Sequence, residues 1–138
     1  MIPFLLALAL VNLQPGLSPA QMKIQASKQR VAAEPENFEA FNDLALAYLQ
    51  RFRETDDAPE LASAENSLSQ SLRLSPHNFE AERAKVWLLL SRREFSPAKD
   101  AALALFHKTP DDVINRGYLS DAYRGLGDYE ASIDAAQG

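Results

Sequence analysis

The chain has 138 residues, 46% hydrophobic and 24% charged, which suits one folded domain rather than a disordered chain. A net charge of −5 argues against nucleic-acid binding, which needs clustered Lys and Arg to displace counterions from phosphates. The absence of cysteine excludes disulfides and thiolate metal sites and leaves the redox compartment open.

Phe4 to Val11 is an unbroken apolar run, followed by Pro15-Gly16 and then Ser18-Pro19-Ala20. The run is far shorter than the roughly 20 apolar residues needed to span a bilayer. Ser18-x-Ala20 has the small-residue pattern of a cleavage site, so residues 1–20 read as a signal peptide or apolar leader, with the mature chain starting at Gln21. That reading implies export to the periplasm or secretion, with membrane attachment only if the leader stays uncleaved. No Lys or Arg precedes the run, as a secretory signal normally requires. The alternative is an apolar capping helix in a cytoplasmic protein.

Ser18 is suited to cap a helix and Pro19 to its first position, so Ala20 to Ala33 is expected to be an amphipathic helix carrying Met22, Ile24 and Val31. It reads as half of a helix pair, over residues 21–34. A helix over Phe38 to Phe52 places Phe41, Leu44, Ala45 and Tyr48 on one face. Arg53 to Pro59 breaks the pattern, and Asp56 or Asp57 can cap the next helix, Pro59 to Leu74, with Leu61, Ala64, Leu68 and Leu72 inward. Helices over Phe79 to Arg92 and Ser96 to Lys108 follow, their stripes being Val86, Leu89 and Leu90, then Ala98, Ala102 and Leu105. Asp111-Asp112 can cap a further helix bearing Leu119, Ala122 and Tyr123, before Gly125-Leu126-Gly127-Asp128-Tyr129 turns the chain into a last apolar-periodic segment. No stretch alternates with the period of a strand, so the fold is expected to be all-α.

Two stretches begin almost identically, Pro35-Glu36-Asn37-Phe38-Glu39-Ala40 and Pro76-His77-Asn78-Phe79-Glu80-Ala81, and Pro110 opens a third. The spacings are 76 − 35 = 41 and 110 − 76 = 34. A period near 34 marks a helix-turn-helix unit that buries its apolar face only by stacking on copies of itself. The units are residues 35–75 with an insertion at 52–59, residues 76–109, and an incomplete unit at 110–138.

These residues resemble the tetratricopeptide repeat. In the first unit Phe41 stands for its aromatic, Leu44-Ala45 for its Leu-Gly and Tyr48 for its Tyr, with Ala64, Leu68 and Pro76 following. In the third, Leu119, Ser120 and Tyr123 fit, and Gly127-Asp128-Tyr129 matches the family's turn, with Ile133 after it. In the middle unit Glu82 and Lys85 replace the expected aromatic and leucine, while Phe95, Ala98 and Pro110 keep the register. The resemblance covers residues 20–138 and implies a right-handed α-solenoid, part of a longer array.

The resemblance also implies a noncatalytic scaffold whose concave face takes a peptide or helix of a protein partner. Mapping that face selects Asn42, Leu46, Arg83, Trp87, Gly117, Tyr118 and Asp121. Trp87, with Arg83 four residues earlier, is a pairing typical of binding hot spots. The alternative is that Trp87 packs between helices and Arg83 is a solvated charge. The Lys, Asn and Arg clamp with which one subset of the family holds chaperone tails is not carried over, since only Asn42 matches it.

His77 and His107 are expected in inter-repeat loops, and the acidic pairs Asp56-Asp57 and Asp111-Asp112 are read as caps rather than metal ligands. The chain has no HExxH, GxxxxGK[ST], GxGxxG or GxSxG motif, so no catalytic residue, metal or cofactor is expected. The competing readings are self-association through an apolar C-terminal end of Tyr123, Tyr129 and Ile133, and an accessory repeat domain of a larger, even enzymatic, protein.

Overall fold

The computed structural model describes residues 16–138, so the apolar run of the expected leader lies outside the described residues. The described residues form seven helices and no strand: α1 (Pro19–Ala33), α2 (Phe38–Thr55), α3 (Ala58–Leu74), α4 (Phe79–Ser91), α5 (Phe95–Lys108), α6 (Val113–Gly125) and α7 (Tyr129–Gln137). The fold is the expected all-α, repeat-like stack in which each helix packs on the next. Among the described residues no helix is long and apolar enough to cross a membrane.

The repeat is built into the backbone. The outer turns before α2, α4 and α6 open alike, with φ/ψ of −129/68 at Glu34, −140/86 at Ser75 and −139/73 at Thr109, and differ at their third residue, where only His77 takes a positive φ, of 65. Each closes with a backbone hydrogen bond, donated by Asn37, Asn78 and Asp112 to the carbonyls of Glu34, Ser75 and Thr109. Those three side chains then cap the helix that follows by accepting from its first free N–H groups. The inner turns after α4 and α6 also coincide: Leu126 repeats Arg92, and Gly127 at φ 80 repeats Arg93 at φ 61. A left-handed position is natural for glycine and costs Arg93 some strain.

Burial follows the same offsets of 41 and then 34. Ala40, Ala81 and Asn115 are all fully buried, and the sets Ala45, Val86 and Ser120, and Ala47, Leu88 and Ala122, are buried at the same spacing. Small side chains at most of these positions let neighbouring helices approach closely. At the end of α6 the approach is closer still, for a Cβ on Gly125 would fall within the Phe95 ring.

The insertion corrects one expectation. From Asn37 to Asp57, cap to cap, the first helix of unit one takes a step of 57 − 37 = 20, against 94 − 78 = 16 in unit two and 128 − 112 = 16 in unit three. The second helix takes a step of 78 − 57 = 21, against 112 − 94 = 18 in unit two. The extra residues are therefore helical: α2 is five residues longer than α4 and the turn after it one residue shorter, α3 is three longer than α5, and the break expected at Arg53 to Pro59 shrinks to Asp56 and Asp57. Phe52 holds the extension down by packing on the first core cluster, around Leu49, Leu61 and Leu88. Arg51 and Glu54 reach back from it to Ser18, the residue that caps α1.

α1 begins as expected, with Ser18 as its cap and Pro19 as its first residue. Ser18 accepts from the Gln21 N–H and Gln21 returns the bond to the Ser18 N–H, while Ala20 is fully buried. Cleavage after Ala20 would remove this cap.

Candidate functional site

The first helices of the three pairs touch one another, α2 on α4 and α4 on α6, whereas α3 and α5 do not meet. The layer of α2, α4 and α6 is thus the more tightly gathered, and its solvent face is the inner face of the stack. That face is the candidate site.

Two of the expected groove residues are committed elsewhere. Asn42 is only 4% exposed. Its amide donates to Asn78 Oδ1 at 3.0 Å and its oxygen accepts from the Ser71 hydroxyl at 2.6 Å, while Asn78 donates to Ser71 Oγ at 3.1 Å. Arg83 lies over the Phe79 ring, 4.7 Å from its centroid, and donates to Asp112 and, at 3.2 Å, to Asn115 Oδ1. Asn115 is fully buried and uses its amide on Thr109.

These are one device used twice. Asn42 and Arg83 each stand five residues after their own helix cap, and each reaches the cap of the next pair. They clasp one unit to its successor. Gly117 holds the same position in unit three, is exposed and has no side chain to reach with. The expectation that Asn42 and Arg83 present themselves to a ligand is corrected accordingly: both are bonded within the stack.

Leu46, Trp87, Tyr118 and Asp121 do line the inner face. Leu46, Trp87 and Asp121 are repeat equivalents, nine residues after their caps. Trp87 borders three adjoining hollows. One of about 480 Å³ runs toward α1 and is lined by Lys23, Asp43, Leu46 and Gln50. A second, of about 380 Å³, adjoins Gln50, Arg53 and Glu54. The third, of about 600 Å³, opens toward α6 and is lined by Arg53, Leu90, Ile114, Tyr118 and Asp121. A further hollow of about 380 Å³ continues from Leu46 past Asn42 to Glu39 and Glu80. Together they form a groove across α2, α4 and α6. Trp87 is half-buried, with one side on the first core cluster, so packing residue and groove residue are the same side chain.

The arginine beside Trp87 is Arg53 rather than Arg83. Its guanidinium carbon sits 5.9 Å from the indole centroid. It comes from the extra turn of α2: α4 ends at Ser91, whose equivalent in α2 is Gln50, three residues before Arg53. Burial pushes the Tyr118 phenol above its ordinary ionisation range, opposed by the positive charges of Arg83 and Arg53. Tyr118 is therefore a neutral hydroxyl at physiological pH.

Of the histidines, His77 is in an outer turn as expected, at φ 65, but His107 belongs to the last turn of α5. Asp112 caps α6, Asp57 precedes α3 without a side-chain cap bond, and Asp56 is the left-handed end of α2. Among the described residues no three His, Asp or Glu side chains converge as metal ligands. Tyr129 and Ile133 are exposed at 66% and 56%, whereas Tyr123 packs on the second core cluster, around Leu105 and Leu119.

No protein-family model matches the sequence, and no curated protein matches it either.

Proposed function

We propose that the chain is a noncatalytic protein-interaction scaffold, built from tetratricopeptide-like repeats, that holds a peptide or helix of a partner along the face of α2, α4 and α6. The observation that carries this reading is the position of Trp87, a half-buried indole at the junction of three hollows. Large aromatic side chains fixed on a core and open on one face are the usual anchors of binding energy. Leu46 and Tyr118 extend the apolar floor on either side, and Asp121 stands at the edge.

The test is Trp87→Ala. Partner affinity should fall by about 2 kcal/mol or more, with helicity by circular dichroism unchanged. Loss of helicity with binding retained would make Trp87 a packing residue alone.

A second reading, self-association, is favoured by the exposed Tyr129 and Ile133 on α7. Sedimentation of the chain beside Ile133→Glu tests it, since only an α7-mediated dimer would dissociate.

A further inference from the structure

Resting on the groove reading, the charges around Trp87 define the partner's chemistry. Every carboxylate bordering the three Trp87 hollows already has a cation: Asp43 is paired with Arg30, Glu54 with Arg51 and Asp121 with Arg124. Two cations there form no ion pair among the described residues. Lys23 donates only to the neutral Gln50 amide, and Arg53 lies over the indole. Among the described residues the Trp87 N–H and the Tyr118 hydroxyl also find no hydrogen-bond partner, and neither is a buried, unsatisfied group.

The Trp87 stretch is thus an apolar surface bordered by spare donors and spare positive charge, while each of its carboxylates already faces a cation. Carboxylates are acceptors only, so they complement it. At the far end of the groove the balance reverses: Glu39 forms no ion pair among the described residues and Glu80 has only Arg83, at 3.8 Å. A uniformly acidic ligand would meet these carboxylates, so its negative charge must be local to Trp87.

We infer that the groove takes a peptide segment in which an apolar side chain seated on Trp87 is flanked by Asp or Glu side chains that reach Lys23 and Arg53. The extension of α2 is what creates this preference, because it alone delivers Arg53 to the indole. Side-chain carboxylates are the source, since Lys23 and Arg53 line different hollows beside Trp87 and one chain terminus supplies a single carboxylate.

Trp87 is the single tryptophan of the chain, so its emission reports on this site alone. The full chain is titrated with end-blocked peptides carrying Leu or Phe between Glu residues, with matched sets in which Glu is replaced by Gln or by Lys, and with a Gln set ending in a free carboxylate. The Glu set should shift the emission and bind at least about tenfold more tightly than the Gln set, an advantage that shrinks with added salt. Arg53→Gln should abolish the advantage with circular dichroism unchanged, and Arg53→Lys should retain most of it. Equal binding of the Glu and Gln sets overturns the inference and leaves the groove reading standing. Preference for the free-carboxylate set overturns the side-chain source. No emission change with any set overturns the groove reading and the inference together.

Discussion

Arg83 on α4 donates to Asp112, the residue that caps α6, and so spans the junction between the second and third helix pairs. The bond does two jobs. It gives the guanidinium a partner where solvent reaches little of it, and it fixes the start of α6 relative to the middle of α4. Because the inner face is the outer surface of these same helices, the angle of the junction is also the shape of the groove.

Truncating that side chain should therefore act on stability before it acts on binding. Arg83→Ala removes the donor to Asp112 and to the buried Asn115 oxygen, and is expected to cost about 2–3 kcal/mol. Urea denaturation measures it. A change below about 0.5 kcal/mol, the range of ordinary surface substitutions, would show that the clasp contributes nothing to the junction.

The neutral clasp should behave as a coupled unit. Ser71→Ala and Asn42→Ala each leave a polar group with fewer partners in a buried cluster, at about 1–3 kcal/mol apiece. The double variant should cost clearly less than their sum, because both remove the same bond. Strict additivity in a double-mutant cycle would mean that the two residues act separately.

Gly125→Ala sets two effects against each other. Alanine favours a helix by about 1 kcal/mol over glycine, but its Cβ would overlap the Phe95 ring, and overpacking typically costs about 1–3 kcal/mol. The overlap reaches the ring's Cγ, so the whole side chain must move, and net destabilisation is expected. Adding Phe95→Leu should recover part of the loss in thermal unfolding.

Glu65 gives a pH signature. The hydrogen bond from Arg92 at 2.7 Å, with the attraction of that charge, holds its carboxyl below the ordinary range, against a smaller opposing effect of burial. A depressed folded-state value means that the stabilisation is present above the unfolded glutamate value of about 4.3 and is lost as pH falls through the lower folded one. The pair is more than a third exposed on the Glu65 side, so the gain is a few tenths of a kcal/mol at most. Glu65→Gln should lower stability by those few tenths near neutrality, flatten its dependence on pH over that acidic window, and leave it unchanged below the folded value.

The repeat was legible because its punctuation is local. A proline followed two residues later by Asn or Asp recurs at residues 35, 76 and 110, and that Asn or Asp closes the turn and caps the helix each time. The offsets of 41 and 34 relate Leu46, Trp87 and Asp121, and Tyr118 borders the same hollow as Trp87 and Asp121. What failed depends on neighbours in space. Asn42 and Arg83 do sit on first helices between packing positions, but whether such a side chain meets water or the next unit's cap is decided by the stacking. One signal was available: both lie five residues after a cap, with a polar cap on the unit that follows. Arg53 was missed for another reason. The run Arg53-Glu54-Thr55-Asp56-Asp57 is polar enough to read as a loop, and only the packing of Phe52 and the pairing with α3 keep its first three residues helical.

A surface made of identical repeats would let a bound chain slide by a unit and bind again, but here the equivalent positions differ as Leu46, Trp87 and Asp121. The extra turn of α2 also removes that freedom. Five added residues extend α2 by about 7.5 Å relative to α4 and α6, and among the described residues they occur once. On the proposed groove reading, a segment laid along the inner face would have a single register, with one side chain assigned to Trp87, and a defined direction, since the end carrying Arg53 is unlike the end carrying Glu39.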